Sequence, residues 1–327
     1  MQRRNFIRLL GGVVAAWPLP VSAQQAAMPV IGFLSGRSTK DSARLVDAFG
    51  RGLRSAGYTE GKNLSVEYRW AEGKLDRLPD LAADLVRRPV TVLVAVGGTN
   101  SALAAKNATS NIPIIFVVGG DPMRLGLVAS FSHPSGNATG TTLVSNVLTP
   151  KRLGLLRELL PNAVTFAFLT NPKSVNAEGE TLDTLGAAQA LGLKLSVLKA
   201  DDAETINDAF GALVRQKVDA LLVASDQNFD VNRDKLVALA ATAGIPTIYH
   251  FRDYAVAGGL MSYGPDIADA YQHVGDYAGQ ILSGKRPADL PVLQPTKFEF
   301  VINLRTAKAL GLAIPPFLLV RADEVIE

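Results

Sequence analysis

The chain has no cysteine among its 327 residues. That excludes a disulfide framework, a thiolate metal site, a cysteine nucleophile and a lipid acceptor at a leader cleavage site. Net charge is equally scarce. The formal charge of +3 is matched by three arginines in the first eight residues, Arg3, Arg4 and Arg8. The rest is neutral, and no basic run interleaved with aromatics offers an electrostatic footprint for nucleic acid. Histidine occurs three times, as His133, His250 and His273, with no metal-ligand spacing. The phosphate loop G-x-x-x-x-G-K-[ST], the dinucleotide fingerprint G-x-G-x-x-G, the elbow G-x-S-x-G and the zinc motif H-E-x-x-H are all missing. The sequence therefore makes no positive case for an enzyme, a metal or a cofactor.

What is present begins with a leader. Residues 1–23 carry the three arginines, an apolar stretch from Leu9 to Leu19 and the small-residue end Val21-Ser22-Ala23. This is the order of a cleaved export signal. The apolar part is too short to span a bilayer, which needs about 20 residues, and Pro18 and Pro20 interrupt it. Arg3-Arg4-Asn5-Phe6-Ile7-Arg8 resembles the twin-arginine address, whose cargo crosses folded; general secretion is the other route. Cleavage near Ala23 would release a soluble protein. Without a lipid tether it stays near the cell only if an outer membrane confines it, so a periplasmic location is expected.

With 48% hydrophobic and 19% charged residues, the remaining chain has the composition of ordinary globular protein and the length of two domains. From Val30 onward, short apolar β-rich runs alternate with helical periods: strands at 30–35, 64–70, 91–96, 114–118 and 138–143, with helices between the first four. Thr149-Pro150 reads as a helix start, and the alternation resumes with strands at 165–170, 193–198, 220–225 and 247–251. Repeated βαβ units imply parallel sheets covered by helices. The expected class is α/β, with two Rossmann-like lobes of mainly parallel sheet joined by a multi-strand hinge. Residues 28–145 plus about 260–290 are assigned to lobe 1, and 146–259 plus about 291–327 to lobe 2.

Ligands of open parallel sheets bind beyond the carboxyl ends of strands, where helix N-termini offer unpaired N–H groups. That rule picks out Ser35 after the first strand, Gly98 and Thr99 after the third and Asp121 after the fourth. In the second half it picks out Asn171, Asp226 and Phe251. Thr99 and Ser38 equally suit helix caps, and Asp121 before Pro122 equally suits a turn. His250 reads as structural. Helix N-termini suit a carboxylate and the two aspartates an ammonium, so a small carboxylate is expected, an amino acid or an aromatic acid.

Several segments together resemble a known family. These are Val30-Ile31-Gly32-Phe33-Leu34, Asp121-Pro122 with Gly126-Leu127-Val128, Pro134 to Gly140, and Met261-Ser262-Tyr263-Gly264. Ile281 to Pro291 and Phe298 to Leu304 complete the set. The combination is similar to the ABC-transporter substrate-binding family that includes tryptophan- and phenylalanine-binding members. The resemblance implies a type I periplasmic-binding-protein fold, with a small-molecule ligand held between lobes and handed to an inner-membrane ABC permease. It implies no enzymatic activity, no cofactor and no nucleic-acid partner, and a monomer is expected. It supports Thr99, Asp121, Asn171, Asp226 and Tyr263 as pocket positions. The alternatives are a ligand-sensing periplasmic protein serving a signalling partner and a periplasmic enzyme.

Overall fold

A computed structural model describes residues 28–174 and 176–327; the expected leader, 1–23, lies outside the described residues. Two apolar runs, VLVAV and IIFVV, are buried along their whole length, the signature of parallel strands covered on both faces. They form β3 (Val92–Val96) and β4 (Ile114–Val118) at the middle of a five-stranded sheet with β1 (Val30–Ser35), β2 (Ser65–Trp70) and β5 (Ala138–Thr142), ordered β2-β1-β3-β4-β5 and parallel throughout. Helices α1 (Ala43–Ser55), α2 (Leu78–Val86) and α3 (Thr99–Ala108) cover it. In α1 the buried set Leu45, Ala48, Phe49, Gly52 and Leu53 follows the one-sided spacing of an amphipathic helix. Phe49 meets Phe33 of β1 at 5.3 Å between ring centroids.

The second sheet has the order β12-β11-β10-β9-β8-β6-β7. Its strands are β6 (Thr165–Thr170), β7 (Lys194–Lys199), β8 (Ala220–Val223), β9 (Thr247–Tyr249), β10 (Met261–Pro265), β11 (Phe298–Asn303) and β12 (Glu324–Ile326). Around it lie α4 (Thr149–Leu159), α5 (Ala177–Ala190), α6 (Ala203–Gln216), α7 (Gln227–Val231), α8 (Arg233–Ala243), α9 (Arg252–Val256), α11 (Leu304–Ala309) and α12 (Pro316–Arg321). Among the described residues the one antiparallel pairing in the sheet is β10 with β11, Gly264 opposite Glu299.

Helix α10 (Ile267–Leu282) returns to the first lobe and lies along α1. Glycines permit this approach. A Cβ at Gly275 would stand 2.1 Å from the Phe49 carbonyl oxygen, and one at Gly52 would stand 1.9 Å from that of Gln272. Among the described residues the chain thus passes between the lobes three times, from β5 to α4, from β10 to α10 and from α10 to β11. On the last pass Leu293 N–H donates to Gly140 O and Thr142 N–H to Leu293 O, each at 2.9 Å, so the returning segment continues the first sheet's edge.

One expected boundary moves. Residues 261–265 were assigned with the first lobe, but β10 is paired on both sides within the second sheet, parallel to β9 and antiparallel to β11. The crossing follows Pro265. Among the described residues no helix is long and apolar enough to cross a membrane.

Candidate ligand-binding cleft

The carboxyl ends of β1, β3 and β4 face those of β6, β8 and β9 across a cavity of about 300 Å3. The first lobe contributes Arg37, Gly97 to Asn100, Gly119 and Gly120, and the second contributes Asn171, Lys173, Ser174, Asn176, Ser225 to Asn228, Asp230 and Phe251. Leu103, Val117, Leu143, Ile267 and Tyr271 supply apolar wall. The space is amphipathic and lies at the small end of the range for ligand cavities.

Of the residues expected from strand ends, Gly98, Thr99, Asn171, Asp226 and Phe251 come together here. Gly98 is the N-cap of α3 with φ +125°, a conformation natural only to glycine. It places Thr99 at the first helical position, so Thr99 is free of the capping role that its residue type also suggested. Asp226 makes two local bonds. It caps α7 by accepting Asn228 N–H at 2.9 Å, and the same Oδ1 accepts Asn171 Nδ2 at 2.9 Å. Its Oδ2 has no hydrogen-bond partner among the described residues. Burial pushes the Asp226 carboxyl up, the bonds from Asn171 and Asn228 pull it back, and Asp230 adds repulsion. A half-buried carboxyl so perturbed, on a cavity wall, is a candidate ligand contact.

Three expected residues stand elsewhere. Ser35 is fully buried beneath the cleft; its hydroxyl accepts Arg37 N–H at 3.2 Å and supports the turn at Gly97. Asp121 closes its own turn by accepting Met123 N–H at 2.8 Å, the local role open to an Asp before proline. Tyr263 is central in β10, where its ring packs near Phe298 and Phe300, each at 6.3 Å, and its carbonyl accepts Arg152.

Arg37, Gln227, Asp230 and Tyr271 line the cleft without having been picked out. Arg37 and Gln227 stand two residues after Ser35 and one after Asp226, strand-end positions that the sequence picks out, so weighting side-chain chemistry over turn chemistry would have found them. Asp230 and Tyr271 face the cleft only through the rotation of α7 and α10, which strand ends do not encode. Burial alone would lower the Arg37 guanidinium's pKa, but Asp253, Tyr271 and Asp230 hold it above its ordinary value. Its Nη2 meets Asp253 at 2.5 Å, while its Nε is buried with no partner among the described residues. His250 is structural as expected: fully buried, its Nε2 lies 2.8 Å from Asp230 Oδ1, which also accepts Tyr254 OH at 3.1 Å.

The lobes touch through named contacts. Gln227 Nε2 donates to Gly97 O at 2.8 Å, Asn100 N–H donates to Gln227 Oε1 at 3.2 Å, and Arg233 pairs with Asp41 at 3.3 Å. Beneath them a buried network joins hinge to cleft floor. Arg152 Nη2 donates to Ser145 O at 2.8 Å and to Thr149 Oγ1 at 2.5 Å, and its Nη1 donates to Tyr263 O at 3.4 Å. Glu180 accepts Thr149 Oγ1 at 2.5 Å and Ser225 N–H at 3.4 Å.

Two mainly parallel α/β sheets, joined by three passes and enclosing an amphipathic cleft at their strand ends, define a two-lobed ligand-capturing protein. Residues 28–326 match the model of the ABC transporter substrate binding protein family, and the chain belongs to that family. A tyrosine-binding protein of Clostridioides difficile is 29% identical over 265 residues, covering 81% of this chain and 75% of the relative. A conserved domain protein from Vibrio cholerae superposes with a TM-score of 0.82 at 27% identity, over 91% of this chain and 99% of its own. A Streptococcus ABC domain in complex with L-Trp superposes equally, at 0.82 with 24% identity and the same coverage. The type I periplasmic-binding-protein fold expected from sequence is the fold observed.

Proposed function

We propose that this chain captures a small zwitterion, an aromatic amino acid foremost, in the interlobe cleft and presents it to an inner-membrane ABC permease. The observation that carries the reading is a pair of opposite, incompletely partnered charges on one cavity. Arg37 has a buried Nε without a partner among the described residues, and Asp226 has an Oδ2 likewise without one. The first suits a carboxylate and the second an ammonium. Phe251 and Tyr271 supply aromatic wall between them. That similar proteins include a tyrosine-binding protein and a domain complexed with L-Trp supports the same class of ligand.

The leader expected at 1–23 supports export to the periplasm, and the missing cysteine supports a free rather than lipid-tethered carrier. A carrier returns its ligand chemically unchanged, and this reading assigns no catalytic residue. Calorimetry against L-Tyr, L-Trp and L-Phe, beside the matching deaminated acids and decarboxylated amines, tests it. The expected result is binding of at least one amino acid and loss of affinity when either charged group is removed. Equal binding of an acid and its amino acid would overturn the zwitterion reading, and conversion of the ligand on recovery would overturn the carrier role.

A further inference from the structure

A second cavity of about 110 Å3 adjoins the cleft and shares Arg37, Gly97, Gln227 and Asp230 with it. Two side chains at this boundary bond to the opposite lobe: Arg37, through Asp253, and Gln227. Its carboxamide is fixed at both ends, donating to Gly97 O at 2.8 Å and accepting Asn100 N–H at 3.2 Å. The fit around it is tight. A Cβ at Gly98 would come within 2.2 Å of its carboxamide carbon, and one at Gly36 within 2.3 Å of its Nε2. Glycines on the first lobe leave room for this one side chain from the second.

We propose that Gln227 is a specificity-determining partition: it walls the annex off from the main cleft and thereby limits how long a ligand the closed protein accepts. The proposal rests on the reading of the cleft as an amino-acid site and adds what sets its upper size. A glutamine suits the role because its amide supplies both the donor that Gly97 O needs and the acceptor that Asn100 N–H needs. Glutamate would present no donor to Gly97. Alanine would remove the wall and join the cavities while leaving the backbone of α7 and the Asp226 cap in place. The annex is polar, with Asp41 and Arg233 paired on its far side, so an arm reaching into it would be polar, as a second peptide unit is.

The experiment is calorimetry on the full chain and its Gln227→Ala variant with L-Tyr, Gly-Tyr and Tyr-Gly, together with a crystal structure of the ligand-free variant. The expected result is that the unmodified protein binds tyrosine and neither dipeptide. The variant should bind one dipeptide at least tenfold more tightly than the unmodified protein does, with tyrosine affinity changed less. Weakened tyrosine binding in the variant with no gain for either dipeptide would overturn the partition, since Gln227 would then act only as a bond between lobes. Dipeptide binding by the unmodified protein equal to that of tyrosine would also overturn it. If the unmodified protein binds none of the three, the amino-acid reading fails and the variant's structure decides the partition. One continuous cavity supports it, and a boundary refilled by collapse of the lobes overturns it.

Discussion

Arg37, just past the end of β1, and Asp253, in the first turn of α9, form an ion pair that joins the two lobes, with side chains 13% and 19% exposed. In the folded protein the pair exists only while the lobes are together. Its loss should therefore weaken binding through closure. We predict that Asp253→Asn lowers ligand affinity by about 1.5–3 kcal/mol, the worth of a hydrogen bond to a charged group, and enlarges the radius of gyration of the liganded protein in X-ray scattering. Arg37→Met should cost more, because it also removes the group assigned to the ligand's carboxylate. Equal losses in the two variants would restrict Arg37 to closing the lobes.

Asp226→Asn separates ligand binding from folding, because asparagine caps a helix about as well as aspartate. The variant should keep its thermal stability and lose about 1.5–3 kcal/mol of affinity for an amino acid, roughly ten- to a hundredfold. Because burial raises the Asp226 pKa, acid should weaken binding of an ammonium ligand from a higher pH than an ordinary carboxylate would allow. Calorimetry from pH 4 to 8 checks both statements. An affinity in Asp226→Asn equal to that of the unmodified protein would remove Asp226 from the site.

The rhythm of the chain made most of the fold legible, and strand ends made half of the cleft legible. Runs such as Ile114–Val118, and the four residues 166–169 inside β6, declare themselves because parallel strands buried on both faces are continuously apolar. Their ends locate the cleft by topology alone, and so Thr99, Asn171 and Asp226 were within reach. Asp121 and Asp226 share the same sequence context, an acid just past an apolar strand. Only the path of the following residues decides that one closes a private turn while the other lines the cavity. Helix α9 and strand β12 are too short to show a period, and β10 owes its place in the second sheet to pairing with the distant β11. None of that is local information.

The Arg152–Glu180 pair offers a stability test away from the ligand. Arg152 is fully buried and Glu180 nearly so; burial pushes the guanidinium down to about 10, opposed by Glu180 and Tyr263, and pushes the Glu180 carboxyl up, opposed first by Arg152. Removing one partner strands the other, so Arg152→Leu should cost about 3–5 kcal/mol in urea unfolding at neutral pH. Glu180 can then escape by taking a proton, and the deficit should shrink as the pH is lowered. A deficit independent of pH would mean that lost packing and lost bonds to Ser145 and Tyr263, not stranded charge, account for it.

Glu299 sets the last expectation, beside the second passage between lobes. It stands opposite Gly264 in the β10–β11 pairing, near Asp266, which caps α10 and lies 3.8 Å from Arg44. Burial pushes the Glu299 carboxyl from 4.5 up to about 7; Asp266 adds to the rise, Arg44 and Arg252 oppose it, and Glu324 adds again. The folded protein thus holds this proton more tightly than the unfolded chain. By linkage the stabilisation is complete below the unfolded value of 4.5 and is lost as the pH rises through about 7. Glu299→Gln should flatten that part of the stability profile, most visibly between pH 5 and 7. Asp226 titrates with the same sign, so the difference between Glu299→Gln and the unmodified protein is the quantity to read. Urea midpoints across the range, with carbon-13 NMR of the labelled carboxyl, measure it; an NMR midpoint near 4.5 together with an unchanged slope would show that Glu299 stays solvated and charged at the hinge.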